Sequence, residues 1–332
     1  MDRTAPYPRL VADVGGTQAR FGWVRQPGGS VAQVASYACS EHAGLEAVIA
    51  CYLAEQALTA PASCAIAIAT STVADTVSMT NRDWIFSVSE LRRRLGLERL
   101  VVLNDFAALA LALPALVPDE LSKVGGGQAV GDAPVALIGP GTGLGVSALL
   151  SVRAILLPIA GEGGHVTIGA ADAGEDRVVS CLRGWFGHVS AERVLSGAGL
   201  VNLYRAGCEL AGRPTHPWSA AEITGRALAG GDHECTDAVE RFFAFLGSVA
   251  GNLALTLGAR GGVYIGGGIV PRLGDWIVRS RFRERFESKG RCRPYLSNIP
   301  TWVISSAAAP ALRGANRALD DAPPDALVAS AH

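Results

Sequence analysis

The stretch LVADVGGTQARFGWV places a lone carboxylate at the end of an apolar run and a glycine turn directly after it. The residues concerned are Asp13, Gly15, Gly16 and Thr17. Such a turn exposes backbone N–H groups that form a concave site for anions, and a threonine hydroxyl adds a donor. Because a bare carboxylate repels phosphates, we expect Asp13 to hold Mg²⁺, through water since Mg²⁺ gives up its waters reluctantly. The alternative is an ordinary hairpin with a solvated aspartate.

A second stretch, VALIGPGTGLGVSALL, repeats this pattern of strand, glycine turn and strand further along the chain. Its candidate phosphate-binding residues are Gly141, Thr142 and Gly143. We expect the two turns to face each other across a cleft and to hold a polyphosphate. Neither turn is a P-loop, since no G-x-x-x-x-G-K-[ST] occurs, and neither opens a helix as a dinucleotide-binding turn does. Two unrelated glycine hairpins are the alternative.

The sequence VVLNDFAALAL puts Asn104 and Asp105 between a buried strand and an apolar helix. Asp105 could act there as the helix N-cap, which would leave Asn104 unexplained. It could instead accept a proton from a substrate hydroxyl while Asn104 orients that hydroxyl. Kinases that transfer phosphate to an alcohol use an aspartate in this way. The pair is therefore a candidate for general-base catalysis.

Glu162 and His165 share the glycine-rich segment PIAGEGGHVTI. Their spacing suits two metal ligands on a helix, but the glycines favour a loop, and no other His or Cys lies nearby in sequence to complete a site. The two side chains could instead bind neighbouring hydroxyls of a polyol. A structural histidine is the plainer alternative.

The next candidate is Glu192, in the segment GHVSAERVLSGAGL. This segment predicts a helix capped by Ser190, with Glu192 in its first turn. A surface glutamate favoured by the helix dipole is the alternative to a ligand at this position.

The segment GGVYIGGGIVP predicts a strand that ends in Gly266, Gly267 and Gly268 before a helix. Bare backbone at this place could receive a flat ligand such as an adenine. Close packing between the helix and the strand is the alternative.

Composition excludes several classes of protein. The 332 residues are 49% hydrophobic and 18% charged, with a net charge of −1, so nothing points to a nucleic-acid partner. The basic run RSRFRERF is diluted by glutamates and predicts a solvated amphipathic helix. The sequence shows neither a secretory signal nor a membrane span. Seven scattered cysteines without C-x-x-C favour free thiols and a cytoplasmic protein.

The elements that must position these residues alternate between strands and helices in the first third of the chain. Strands are predicted at 9–14, 20–25, 31–37, 64–69 and 100–103, and helices at 45–57, at 89–95 with Ser89 as cap, and from Phe106. A similar unit begins near Pro134, with a long helix at 237–257. The repeated pattern favours two α/β lobes of similar topology.

The order of the motifs DVGGT, LNDF, GTGLG, GEGGH, SAERVLSG and GGGIVP resembles that of the bacterial ATP-dependent glucokinase family, within the hexokinase–actin–Hsp70 superfamily. The resemblance runs from about Leu10 to about Asn316, and GEGGH followed by Glu192 is its most specific part. It implies an α/β fold of two ribonuclease-H-like lobes with a cleft between them. The implied domains are a small one, 1–115 plus about 306–332, and a large one, 116–305.

The resemblance also implies ATP-dependent phosphorylation of glucose at its 6-hydroxyl, with Mg²⁺, in a cytoplasmic homodimer, and Asp105 as the general base. The implied sugar ligands are Asn104, Asp105, Glu162, His165, Glu192 and Asn81. The implied nucleotide-binding residues are Asp13, Gly15, Gly16, Thr17, Gly141, Thr142, Gly143, Gly266, Gly267 and Gly268. A kinase for another hexose and a sugar-sensing, non-catalytic relative remain as alternatives.

The chain departs from the family pattern in two places. Gln18 stands where the family usually has asparagine, and IATSTVAD at 68–75 lacks the usual Asn-Pro or Cys-Pro. The cysteine-rich zinc motif of the related repressor and kinase family is absent, so we expect no zinc. A repressor would need a DNA-binding module, and an actin-like ATPase would not need Glu162 and His165.

Overall fold

Two six-stranded sheets form the frame of the protein. The structure, a computed structural model, describes residues 5–69, 75–79, 84–153, 155–305, 309–321 and 327–330. The chain divides into two compact units, the first formed by Met1–Leu116, Leu149–Ala160 and Ala309–His332 and the second by Val117–Ala148 and Gly161–Ala308.

The strands are β1 Arg9–Val14, β2 Gln18–Val24, β3 Ala32–Ala38, β4 Ser63–Ile68, β5 Thr76–Ser78, β6 Ile85–Ser87, β7 Arg99–Asn104, β8 Leu121–Val124, β9 Val135–Pro140, β10 Leu144–Val152, β11 Ile155–Gly161, β12 Gly262–Ile265, β13 Thr301–Ile304 and β14 Leu327–Ser330. The helices are α1 Leu45–Glu55, α2 Val88–Arg94, α3 Asp105–Ala112, α4 Ala173–Phe186, α5 Gly197–Leu210, α6 Ala220–Ala229, α7 His233–Leu257, α8 Ile269–Arg272, α9 Trp276–Arg279, α10 Phe282–Glu287, α11 Arg293–Ser297 and α12 Pro310–Asp320.

The first sheet has the order β14-β7-β4-β1-β2-β3. Its central strands β1, β4 and β7 run parallel, whereas β2, β3 and β14 pair antiparallel with their neighbours. All of β4 is buried, and Asp13 is the one residue of β1 that is not fully buried. Parallel strands covered on both faces need such continuous apolar runs, so the carboxylate of Asp13 stands out within its strand.

The second sheet, β11-β10-β9-β12-β13-β8, repeats this order strand for strand. Here β9, β12 and β13 run parallel and β8 is antiparallel to β13. In each sheet a glycine turn joins the first central strand to the strand beside it, β1 to β2 and β9 to β10. The shared order confirms the predicted repeat and excludes two unrelated hairpins.

Helix α12 fixes α3 in the first unit. A Cβ added to Gly314 of α12 would clash with the backbone carbonyl of Ala108 in α3, so the two helices approach as closely as a glycine allows. At the other end of α12, Asp320 pairs with the fully buried guanidinium of Arg9 at the start of β1. Because α3 begins at Asp105, these contacts set where that carboxylate lies.

Helix α7 forms the core of the second unit, where it packs against α5, α6 and α10. In the part of the chain that the structure describes, it is the one helix long and apolar enough to cross a membrane, and 67% of its apolar stretch is buried inside the protein. It begins four residues before the predicted Asp237, because the Asp232 carboxylate accepts a hydrogen bond from the Cys235 N–H (3.0 Å) and caps it.

The predicted cap of α2 is wrong. Ser87 caps this helix, since its hydroxyl oxygen accepts a hydrogen bond from the Glu90 N–H (3.1 Å). The Ser89 hydroxyl instead donates to Asp75 (3.1 Å). The two serines lie two residues apart, and the sequence alone does not choose between them.

The basic run is more buried than predicted. Phe282 and Phe286 lie in the core, and Arg285 is buried beside the carboxylates of Asp172 (2.6 Å) and Glu175. A buried arginine needs such partners because an unpaired buried charge is strongly destabilising. The alternation of arginine and phenylalanine therefore has a structural explanation, and it gives no support to a nucleic-acid partner.

Replacing Gly314 by alanine should destabilise the protein by about 1–3 kcal/mol, the range for overpacking a close contact. The added methyl group would push α12 away from α3. Urea denaturation of the variant measures the loss.

The matched control is Gly225→Ala in α6, where a Cβ would meet open space. This variant should gain about 0.4–1 kcal/mol, because alanine restricts the unfolded chain. Equal stability of Gly314→Ala and the wild type would contradict the close packing of these two helices.

Candidate active site

The first glycine turn closes the hairpin between β1 and β2. The Gly15 N–H donates to the Gln18 carbonyl (2.9 Å), and the Thr17 carbonyl accepts a hydrogen bond from the Cys39 N–H (2.9 Å). These bonds hold both ends of the turn, while Gly16 is half-buried and the Thr17 side chain is exposed. A rigid turn with an exposed hydroxyl is suited to bind an anion.

Asp13 lies just before this turn, opposite Arg20 in the register of β1 and β2. Burial raises the pKa of the Asp13 carboxyl, and the positive charge of Arg20 lowers it by a smaller amount. A carboxylate that burial makes costly to ionise gains from a nearby cation. One carboxylate, completed by water and substrate phosphates, is a donor set that Mg²⁺ accepts. Asp13 therefore fits the expected magnesium site.

The second glycine turn is held by one hydrogen bond within the turn and by another from helix α5. The Gly141 N–H donates to the Gly143 carbonyl (2.8 Å), which closes the turn. The Gly141 carbonyl accepts a hydrogen bond from the N–H of Gly197 (2.9 Å), the first residue of α5. The Thr142 side chain is exposed. This turn thus presents a hydroxyl at the place where α5 begins.

The three glycines at the end of β12 have different reasons for being glycine. The Gly266 N–H donates to the Ile138 carbonyl (2.8 Å) and continues the pairing of β12 with β9. Gly267 has a φ of +77° and lies against the Pro140 carbonyl, so a side chain there would be strained and would clash. Around Gly268, by contrast, there is open space. Close packing explains Gly267, and Gly268 is the better candidate for an approach by a ligand.

Glu192 lies in the first turn of a 3₁₀ helix, Ala191–Arg193, that follows Ser190, as predicted, but this helix is only three residues long and the Ser190 side chain makes no cap hydrogen bond. Helix α5 begins only at Gly197, and its cap is Ser196, whose hydroxyl oxygen accepts a hydrogen bond from the Gly199 N–H (2.9 Å). The backbone at Ser190 is also paired with another segment.

That segment is the one that follows His165. Thr167 and Ser190 form an isolated antiparallel bridge, and the Val166 carbonyl accepts a hydrogen bond from the Ala191 N–H (2.9 Å). The bridge brings the 3₁₀ turn Gly163–His165 against the turn that carries Glu192. Two candidate segments that are distant in sequence thus lie side by side in the second unit.

Glu192 also reaches the second glycine turn. Its Oε2 accepts a hydrogen bond from the Leu144 N–H (2.8 Å), at the first residue of β10. A Cβ on Gly143 would lie 2.5 Å from the same oxygen. The carboxylate therefore packs directly against the candidate phosphate turn.

Glu162 and His165 lie on a loop with a 3₁₀ turn, as the glycines predict. Gly163 packs against Val146, and Gly164 lies against the Leu144 carbonyl, so this loop is pressed onto β10. The two functional side chains are exposed, and His165 Nε2 lies 3.8 Å from Glu162 Oε2. Among the described residues no group of three or more His, Cys, Asp and Glu could hold a metal.

Asn104, not Asp105, is the cap of α3. The Asn104 Oδ1 accepts hydrogen bonds from the N–H groups of Phe106 (2.9 Å) and Ala107 (3.1 Å). Asp105 is the first residue of the helix, and its Oδ1 lies 2.9 Å from the Phe106 nitrogen. The capping alternative for Asp105 is therefore wrong. Its carboxylate stands in the first turn of the helix, at the positive end of the helix dipole.

A sequence model of the glucokinase family matches residues 10–322 of this chain. The chain belongs to the glucokinase family. The glucokinase of Aromatoleum aromaticum is 53% identical over 317 residues, which cover 95% of this chain and 96% of that protein.

Solved structures agree with this assignment. A glucokinase from an Antarctic psychrotroph is 33% identical, with a TM-score of 0.84, over 93% of this chain and 98% of that chain. A ROK family glucokinase from Streptomyces griseus, in complex with glucose and AMPPNP, is 19% identical, with a TM-score of 0.64, over 94% of this chain and 98% of that chain. At that lower identity the likeness shows the fold alone. These neighbours confirm the predicted fold class, the actin-like ATPase fold.

Not every predicted residue of this glucokinase family member can be placed. Asn81 and most of the departing segment 68–75 lie outside the described residues. A cavity of about 800 Å³ in the second unit is lined by Lys123, Arg260 and Tyr295 among others, and by none of the candidate residues. Its position assigns it no part in the candidate site.

Sequence reasoning missed the start of α5 and the residues that hold the turn of Glu192. The Ser196 hydroxyl donates to the Glu192 carbonyl (2.9 Å), and the Asn202 amide donates to the Arg193 carbonyl (2.9 Å). The sequence Ser-Gly-Ala-Gly carried a usable signal, since a serine before small residues is a good helix cap. The contact of Gly197 with Gly141 had no signal in the sequence.

Replacing Asn104 by alanine should lower the free energy of unfolding by about 0.5–2 kcal/mol, the usual loss for an N-cap. The variant Asn104→Asp keeps an acceptor oxygen at the cap and should remain close to the wild type in stability. Thermal and urea denaturation measure both. Equal loss in the two variants would show that the cap bonds are not what stabilises this position.

Proposed function

We propose that the protein transfers the γ-phosphoryl group of ATP to the 6-hydroxyl of glucose. The observation that carries the proposal is the Glu192 carboxylate, which binds the second glycine turn from a segment packed beside Glu162 and His165. A candidate phosphate-binding turn and a candidate polyol-binding segment thus lie together in one unit. The naming of relatives that are about half identical over nearly the whole chain as glucokinases supports the choice of glucose.

In the proposed reaction Asp105 is the general base. As the bond between O6 of glucose and the γ-phosphorus forms, the hydroxyl proton passes to the Asp105 carboxylate, and the bond from the γ-phosphorus to the β,γ-bridging oxygen breaks to release ADP. Asn104, whose carbonyl oxygen caps α3, fixes the start of the helix on which Asp105 stands. Such fixed placement of a base and its hydroxyl is a large part of catalysis in phosphoryl transfer.

The nucleotide would be held mainly by backbone. We assign the phosphates to the two glycine turns, Gly15–Thr17 and Gly141–Gly143, with Thr17 and Thr142 as hydroxyl donors. The adenosine would lie at Gly266–Gly268, where the surroundings of Gly268 are open. Mg²⁺, when bound, would neutralise phosphate charge, and Asp13 is the residue we expect to hold it through water.

The sugar would be held by side chains with charge or strong hydrogen-bonding capacity. We assign its hydroxyls to Asn104, Asp105, Glu162, His165 and Glu192, with Asn81 as a further ligand. Hydrogen bonds from hydroxyls to carboxylates are charge-assisted, so a polyol gains more from them than from neutral acceptors. This set is what separates a sugar kinase from an actin-like ATPase, which has no polyol to hold.

Two alternatives remain open to experiment: a kinase for another hexose and a sugar-sensing relative without catalysis. ADP release measured with glucose, mannose, glucosamine and fructose, each with ATP and Mg²⁺, separates them. Preference for glucose supports the proposal. Faster release with another hexose would point to the first alternative, and sugar binding without release to the second.

We further propose a cytoplasmic homodimer. None of the seven cysteines forms a disulfide bond, which suits a reducing compartment. Light scattering of the purified protein measures the mass in solution, and a monomer at micromolar concentration would contradict the dimer.

Replacing Asp105 by alanine should lower turnover by about 10²–10⁴-fold, the usual contribution of a general base. Folding should be retained, because Asn104 keeps the cap of α3. The measurement is sugar-dependent ADP release together with a thermal melt. Near-normal turnover by a folded variant would rule out Asp105 as the base and leave it a dipole-favoured residue.

Replacing Glu162 by glutamine should weaken glucose binding by roughly ten- to a hundredfold, because a hydrogen bond to a charged group is worth about 1.5–3 kcal/mol. Binding of an ATP analogue without sugar should hardly change. Calorimetric titration measures both. The matched control is Glu98→Gln, an exposed glutamate outside the site, which should titrate like the wild type. Unaltered glucose affinity in Glu162→Gln would remove Glu162 from the sugar ligands.

A further inference from the structure

We infer that Glu192 couples the binding of sugar to the second phosphate turn. The inference rests on the proposed function, because it takes Glu192 as a sugar ligand and Gly141–Gly143 as a phosphate turn. The geometry adds that the same carboxylate that is assigned to the sugar also contacts the turn. The prediction from sequence gave it only the sugar.

The contact with the turn is direct. Oε2 of Glu192 accepts the Leu144 N–H at 2.8 Å, immediately after Gly143. Among the described residues Leu144 is the one hydrogen-bond partner of this carboxylate, and the bond uses Oε2. Oε1 is therefore available to a second donor such as a sugar hydroxyl, and a carboxylate has lone pairs enough for both.

The backbone around Glu192 is held by hydrogen bonds, so the Glu192 side chain is the part that can change conformation. Its backbone is held by the Ser196 hydroxyl, and the neighbouring Ala191 N–H is bonded to Val166. The turn itself is held a second time by the Gly197 N–H on the Gly141 carbonyl. Of the two bonds that this segment makes to the turn, one is between backbone groups and the other depends on the side chain of Glu192.

A sugar hydroxyl on Oε1 would restrict the Glu192 side chain to the conformation that also accepts the Leu144 N–H. That conformation orders the turn at Gly143, where phosphate is to bind. Sugar would then raise the affinity for nucleotide, and by linkage nucleotide would raise the affinity for sugar by the same factor. Such an effect would favour phosphate binding when the acceptor sugar is present, which limits the loss of ATP to water.

Gly143→Ala tests the coupling from the phosphate side. Its Cβ would lie 2.5 Å from Oε2 and would displace the carboxylate, whereas the Cβ of Gly225→Ala in α6, outside the candidate site, would meet open space. Glucose is titrated by calorimetry into each variant without nucleotide, and thermal melts confirm folding. We expect about a fivefold or greater loss of glucose affinity in Gly143→Ala, as for a typical coupling. Glucose affinity in Gly225→Ala should remain within about twofold of the wild type, well below that factor.

A second measurement needs no variant. AMPPNP with Mg²⁺ is titrated into the wild type with and without saturating glucose, and we expect glucose to tighten its binding by about fivefold or more. An AMPPNP affinity that is the same with and without glucose would overturn the coupling. Glucose affinity at the wild-type level in Gly143→Ala, or an equal loss of glucose affinity in both glycine variants, would also overturn it. Failure of the wild type to bind glucose at all would overturn the proposed function itself, so the two failures are distinguishable.

Discussion

The hydrogen bond from the Leu144 N–H to the Glu192 carboxylate is the contact on which the second unit's candidate site depends. It joins the start of β10 to a turn more than forty residues later in the chain. For the bond to form, Gly143 must lack a side chain and the segment at Ala191 must be held by backbone pairing with Val166. Glycine at this position is therefore a requirement of packing.

In the first unit, helix packing fixes the position of the candidate base Asp105. Asp105 stands at the start of α3, and α3 is fixed by the close approach of α12 at Gly314 and by the cap that Asn104 supplies. The last turn of α12 is in turn tied to β1 through Asp320 and the buried Arg9. A candidate base thus depends on a helix two hundred residues further along the chain, because a carboxylate on a loosely held helix could not keep its distance to a substrate hydroxyl.

Buried charge is used differently at the candidate site and in the core. Arg9 and Arg285 are buried and paired with carboxylates, which offsets their loss of hydration. Asp13 is partly buried opposite a single arginine, and burial raises the pKa of its carboxyl. The two arginines have carboxylate partners within the fold, whereas Asp13 still gains from a cation. This contrast is what makes Asp13 a functional candidate rather than part of a structural ion pair.

Sequence alone determined the fold class, the family and the repeated glycine turns, because these follow from local patterns: continuous apolar runs for buried strands, glycines where the backbone turns. It also placed most strands and helices, and it put Glu162 and His165 on a loop. It misplaced the cap of α2 at Ser89, and at Ser190 it predicted a side-chain cap that the short 3₁₀ helix lacks, because a serine caps a helix only where its hydroxyl reaches an unpaired N–H of the first turn. The roles of the site residues in catalysis and binding remain predictions.

Tertiary structure alone decided which of these residues meet. That Gly197 bonds to Gly141, that Gly267 lies against Pro140, and that Glu192 reaches Leu144 are contacts between segments far apart in the chain. No spacing in the sequence encodes them, because each depends on how strands pair and helices pack around them. The sequence identified the candidate site residues, and the packing of the second unit brought the Glu192 carboxylate and a glycine turn to hydrogen-bonding distance.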